Sequence, residues 1–378
     1  PGEGFAGQQP RDPLHVVFTR SDSLVCLRRV HSDVLVEGDS LMARAVRRSN
    51  IDPVIASFPV KCKAPDGSSV FEATSFFVNG APAMRPHDPY GINSFGGFLS
   101  TTVNYVAGCS LLSGVEAFAD NVSVLSSLSF TLTTRFGGYL INKDTPYTAL
   151  ARRSLMLLPR EVMMPRLCDS RIGTVPVAFV KFSDREQEAK AVYYACRWNL
   201  KPSDPAAFAA GKLTTPERPI VFYVDDTFPA GWYDAIRRGL LSWNAAFEKI
   251  GYRDAVQVRP YPRDDASFDP NDIKFSCVKY ANTMGESLSS SARIDPRSGE
   301  ILRTTVMVCH NMTWEMPFEI FVWSLLDEVN LIGGYPSTTF LSVPLDKAGF
   351  LFAADAASLP RPLNLLFSDA PNVEWMQP

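Results

Sequence analysis

The hydrophobic positions of this chain change their spacing near residue 219. Before that point they fall in short extended runs, several with the alternation of strands. Runs at 14–18 and 24–30 flank the polar turn Thr19-Arg20-Ser21-Asp22-Ser23, and residues 12–80 as a whole read as strands. Residues 60–63 alternate apolar and charged side chains. Pro65-Asp66-Gly67-Ser68 then supplies turn chemistry, and the apolar run 70–78 completes a predicted hairpin. Residues 80–98, rich in Pro, Gly and Asn, predict a loop. Further strands are expected at 122–135 and at 146–158, the latter stopped by Pro159, and a pair at 175–182 and 191–200. A linker containing Pro, Asp and Ala follows at 201–218. The predicted domain boundary lies near 160–170, dividing the chain into 1–165 and 166–378.

Beyond Pro219 the pattern is strand–helix–strand. Residues 220–224 form a β-branched and aromatic run. Trp232, Ile236, Leu240, Trp243 and Phe247 then share one helical face, which predicts a helix over 229–250 with both tryptophans in the core. Pro229 suits its first turn and Gly251 its stop. Strands are expected at 256–258 and 273–280. Another pair flanks the turn in Ile294-Asp295-Pro296-Arg297-Ser298-Gly299-Glu300-Ile301, the second of them at 304–309. A second helix is predicted from Pro317 to Ile332, ending at Gly333-Gly334 with Pro336 beyond. It is apolar around most of its circumference, so it should be buried on nearly all sides. Asp327, Glu328 and Asn330 are the polar residues of its last two turns. Buried carboxylates need partners, a ligand or a solvent-filled cleft.

Composition narrows the function classes. The 378 residues are 46% hydrophobic and 20% charged, an ordinary globular balance. A net charge of −3 without a Lys/Arg block argues against nucleic acid as a partner. No apolar run approaches the roughly 18 residues of a membrane span. The start Pro1-Gly2-Glu3-Gly4 shows neither an initiator Met nor a signal-like apolar stretch, so the chain reads as a mature fragment with any export signal outside it. Its seven cysteines include no C-x-x-C pair, which disfavours a zinc ribbon. Cys26, Cys62, Cys196, Cys277 and Cys309 fall in strand-like runs and are expected in the core. The four histidines, His15, His31, His87 and His310, lack metal-ligand spacing, and His310 at a strand end is read as a hydrogen-bonding residue.

Three segments of the second half carry a resemblance: 218–225 (RPIVFYVD), 243–252 (WNAAFEKIGY) and 294–301 (IDPRSGEI). Together they are similar to large bacterial zinc-dependent metalloproteases of the metzincin type, common in Bacteroidetes-like bacteria. The first half resembles the uncharacterised region that precedes their catalytic domain. There the matching residues are Asp12-Pro13-Leu14, Ile55-Ala56-Ser57-Phe58-Pro59, and Met164-Pro165-Arg166-Leu167 through Arg171-Ile172-Gly173. The match is collinear from about residue 6 to about residue 337. It implies an α+β chain: a β-rich N-terminal domain, then a zincin domain with a twisted mixed sheet and two long helices.

The resemblance also implies H-E-x-x-H-x-x-G-x-x-H on the second helix, where three histidines bind zinc and the Glu is general base. Aligned without gaps, Asp327, Leu331 and Ser337 occupy the ligand positions. Glu328 remains as a vestigial general base and Gly334 as the turn glycine. Leu331 cannot ligate a metal, and Asp327 alone cannot hold a site that needs about three protein ligands. The expectation is a catalytically inactive homologue with no cofactor, its zinc lost, that binds protein or peptide through a sheet edge. The alternatives are an active zinc endopeptidase whose site is misplaced here or lies outside the fragment, and a structural envelope component. Export to the periplasm or outer surface is implied by the resemblance.

Overall fold

The computed structural model describes residues 14–310 apart from residues 22, 32, 37–40, 80–91, 95–98, 170, 172–173, 185–187 and 282–287. The chain divides into two compact units. Among the described residues, one is built on 14–158 with 182–184, the other on 159–181 and 188–310.

The first unit is a β-structure with two short helices. Its elements are β1 (Val16–Arg20), β2 (Leu24–Arg29), β3 (Val34–Val36), α1 (Leu41–Ser49), β4 (Val54–Lys63), β5 (Ser69–Phe71), α2 (Thr74–Phe77), β6 (Ile92–Ser94), β7 (Leu99–Tyr105), β8 (Leu111–Ala117), β9 (Asn121–Phe136) and β10 (Tyr139–Met156). One antiparallel sheet runs β1-β2-β4-β5. A second runs β10-β9-β7-β6, with β8 also on β9. The β4–β5 turn is closed as its chemistry predicts. Gly67 sits at φ 84°, and Ser68 N–H donates to Asp66 Oδ1 at 2.9 Å.

The long β9–β10 hairpin turns at Gly137 and Gly138, with φ of 54° and 86°. Two consecutive positive φ values match the right-handed twist of the flanking strands, and glycine adopts them without a Cβ clash. Along β9, Leu128 and Phe130 alternate into the core and pack with Ala149 and Ala151 of β10. The two sheets and α2 surround an apolar cavity of about 350 Å³ lined by Phe18, Phe58, Phe76, Val115, Val124 and Leu155, among others.

The second unit contains β11 (Pro176–Phe182), β12 (Lys190–Ala195), α3 (Pro205–Ala209), β13 (Ile220–Val224), α4 (Trp232–Ser242), α5 (Asn244–Lys249), β14 (Val256–Pro260), β15 (Ser276–Ala281), β16 (Leu288–Asp295) and β17 (Glu300–Cys309). Strands β11 and β12 pair as an antiparallel hairpin. A five-stranded sheet has the order β14-β13-β15-β17-β16. Its first four strands are parallel and β16 is antiparallel. Helices α4 and α5 make the β13-to-β14 crossover that parallel neighbours require. Ile236 of α4 packs on Val224, Val278, Val306 and Val308, the apolar row of one sheet face.

The expected fold class is overturned. Four sheets dominate the described residues, and the helices are few and short, the longest being the 11 residues of α4. The predicted single helix over 229–250 is two helices that part at Trp243. Ser242 and Asn244 flank the break and turn their side chains to backbone groups, the competition that disfavours both residue types inside helices. Ser242 Oγ donates to Gly239 O at 2.7 Å. Asn244 Oδ1 accepts from Val256 N at 2.8 Å, and its Nδ2 donates to Val256 O at 2.9 Å. Trp243 is 36% exposed, not a core residue. The second predicted long helix, 317–332, lies outside the described residues.

Within the region read as all strand, α1 is helical. Its buried Ala43 and Val46 stand three residues apart, a helical spacing. Cys277 and Cys309 are buried as expected, but Cys62 is exposed, on the outward side of its strand. Among the described residues no helix is long and apolar enough to cross a membrane.

Candidate functional site

In open parallel sheets, ligands bind at the carboxyl ends of the strands, where the connections leave a crevice. Here those ends bring Asp225 after β13, Tyr280 near the end of β15 and His310 after β17 to one edge of the sheet. The placement is backbone-driven. Asp225 N–H donates to Val278 O at 2.9 Å, and His310 N–H donates to Ala281 O at 2.9 Å.

The side chains then interlock. Tyr280 Oη lies 2.6 Å from His310 Nδ1. With Tyr280 as donor, Nδ1 accepts and the ring proton sits on Nε2, so the imidazole offers a donor beyond this contact. Trp232 is parallel to the His310 ring, with centroids 6.3 Å apart and planes 4° apart. Phe228 packs against Tyr280 at 5.1 Å. Asp225 Oδ1 accepts from Thr227 N at 2.9 Å and Thr227 Oγ1 at 2.7 Å, while Oδ2 accepts from Tyr280 N at 3.4 Å. An aromatic wall with a few oriented polar groups suits binding of a polar or peptide-like ligand.

The segment 294–301, one carrier of the resemblance, has a structural role. Asp295 is fully buried. Arg297 grips it bidentately, Nε to Oδ1 at 2.9 Å and Nη2 to Oδ2 at 2.7 Å, and Nη2 also donates to Pro159 O at 2.7 Å. These charge-assisted bonds hold the Arg297 proton more firmly and raise its pKa. Gly299 has φ 77°, and a Cβ there would lie 2.7 Å from Ala195 O. Glu300 Oε1 accepts from Asn199 Nδ2 at 3.1 Å. The carboxylate of Asp295 is spent on holding the turn.

On the sheet face opposite α4, Tyr223, Phe268, Phe275 and Tyr261 pack ring on ring. Burial pushes the Tyr261 hydroxyl and the Cys277 thiol upward in pKa, because desolvation disfavours their charged forms. Both are neutral near pH 7. At the outer side of the sheet, β16 pairs with β17 alone among the described residues.

The site residues expected from the sequence, Asp327, Glu328, Leu331, Gly334 and Ser337, lie outside the described residues. Among the described residues no three His, Cys, Asp or Glu side chains group as a metal site. His310 is hydrogen-bonded, in line with its sequence reading, but its partner Tyr280 and the neighbouring Asp225 were not legible as a group. The available signal was each apolar strand giving way to a polar residue at its carboxyl end, Val224-Asp225 and Cys309-His310.

No curated protein and no solved structure matches the chain. A family model described as a domain of unknown function, DUF5117, matches residues 7–203, which is more than half of the chain. The chain therefore belongs to the DUF5117 family.

Proposed function

We propose that this protein is a non-hydrolytic relative of zinc endopeptidases that binds protein or peptide partners in extended form. One observation carries the reading: β16 is an eight-residue strand whose outer edge takes no partner strand among the described residues. An open edge presents a row of backbone N–H and C=O groups, which a peptide can continue as a further strand. Affinity then comes from main-chain hydrogen bonds and needs neither a metal nor a nucleophile. Ser290, Ser291 and Ala292 leave the middle of this edge without the Lys or Pro that commonly guards one. The loss of hydrolysis is supported by the sequence, where Leu331 and Ser337 stand in place of zinc-binding histidines.

Amide hydrogen exchange on the full chain, with and without a library of extended peptides, tests strand addition. Protection concentrated in 288–295 is the expected result, and peptides that protect other segments instead count against it. Metal analysis tests the other half. Stoichiometric zinc, with chelator-sensitive peptide hydrolysis that is lost in Glu328→Gln, overturns the non-hydrolytic reading.

A further inference from the structure

From the side chains beneath that open edge we infer that the added strand carries an acidic residue, read by the paired guanidiniums of Arg293 and Arg303. This rests on the strand-addition reading and specifies its ligand class.

Arg293 on β16 and Arg303 on β17 are directly opposed cross-strand partners. Such partners project from the same sheet face with Cβ atoms about 5 Å apart, and like charges placed so are destabilising. Both residues are half-buried, so water screens the repulsion only in part. Burial, and next the neighbouring Arg303 charge, lower the pKa of Arg293. Among the described residues no carboxylate forms an ion pair with either guanidinium.

Arg303 Nη2 donates to the Pro270 carbonyl, and its Nε is buried without a hydrogen-bond partner. The contrast with Arg297 is direct. That residue lies four positions from Arg293 and has both oxygens of Asp295 in its grip. Two adjacent half-buried cations without a counter-charge among the described residues break the local rules of a stable sheet, and such breaks collect at functional sites.

Strand addition would bring an anion to this pair. A strand added to β16 places the residue opposite Arg293 on the same face as both arginines. A Glu or Asp there reaches Arg293 first, with Arg303 behind it. Guanidiniums recognise carboxylates with paired N–H donors, so the contact selects acid over amide. The next residues on this face are Ser291 and Thr305, also cross-strand partners. They accommodate a small or polar side chain two positions along the ligand.

The test uses the full chain and a peptide that protects 288–295 in hydrogen exchange. Fluorescence anisotropy compares this peptide with versions in which each acid in turn becomes Gln or Lys. One Glu→Gln change is expected to weaken binding at least tenfold, with a further loss for Lys, and raised salt should narrow the difference. Arg293→Gln should remove that preference, so that the Glu and Gln peptides bind alike. Arg293→Lys should restore part of it. The peptide substitutions leave the protein intact, so they decide the matter even if an arginine variant folds poorly. Peptides that protect 288–295 yet bind equally with Glu, Gln and Lys overturn the acid preference and leave strand addition standing. An acid preference that survives Arg293→Gln and Arg303→Gln overturns its assignment to this pair. Absence of protection at 288–295 with every peptide overturns both readings.

Discussion

Asp295 and Arg297 show at the residue scale how unequal the two ends of an ion pair can be. The carboxylate is fully buried, whereas the Arg297 side chain is 32% exposed. Removing the arginine strands a charge with no route to water, while removing the acid leaves a cation that can turn outward. Arg297→Met is expected to destabilise the fold by about 3–5 kcal/mol. Asp295→Asn keeps one acceptor oxygen for the Arg297 backbone N–H and Nε, and should cost distinctly less. Urea denaturation of both variants checks the order, and equal losses would show that the pair is not asymmetric. In the sequence this arginine and aspartate were visible as a turn motif. Their ion pair was not read there, although only two residues separate them, because a turn motif does not say which side chains it buries. The opposition of Arg293 and Arg303 was not visible, because it depends on the register across nine intervening positions and on which face each strand buries.

At the scale of elements, turns proved more legible than helices. Gly67 sits where backbone sterics demand positive φ, within the predicted Pro65–Ser68 turn, whereas the turn at Gly137 and Gly138 went unread because the second strand was expected to begin only at 146. The turn joining β16 to β17 depends on Gly299 for two reasons, its φ of 77° and its approach to Ala195 O. Gly299→Ala is expected to cost roughly 1–2 kcal/mol for the left-handed conformation alone. The contact with a backbone oxygen adds to this, since no flexible side chain can move aside. A thermal or urea melt of this variant should show the loss, and an unchanged midpoint would mean that the turn relocates. The helix over 229–250 was misread because its apolar face continues across Ser242 and Asn244. The periodicity counts only side-chain faces, while the break arises where Asn244 clamps both backbone groups of Val256 on the next strand.

At the scale of the whole molecule, each unit has its own apolar centre. Leu128 has no exposed surface within the first, between Phe130 and the paired alanines of β10. Leu128→Ala should lower stability by about 2–5 kcal/mol, the range for cavity-forming truncation in a core that relaxes only partly. A urea titration followed by fluorescence checks this, and a loss below 1 kcal/mol would mean that the site collapses to fill the gap. The peptide-binding reading also belongs here, since an open sheet edge is a property of strand order and no single segment encodes it. By itself the sequence determined most strand positions, the turns at Gly67 and Gly299 and the burial of Cys277 and Cys309, because side-chain alternation and glycine sterics act between near neighbours. Only the tertiary structure decided that four sheets dominate, that β16 ends one of them, and that Asp225, Tyr280 and His310 meet. Those outcomes come from strand pairing between distant segments, where the chain-closure cost and the burial of whole faces select one register among many that local pattern permits.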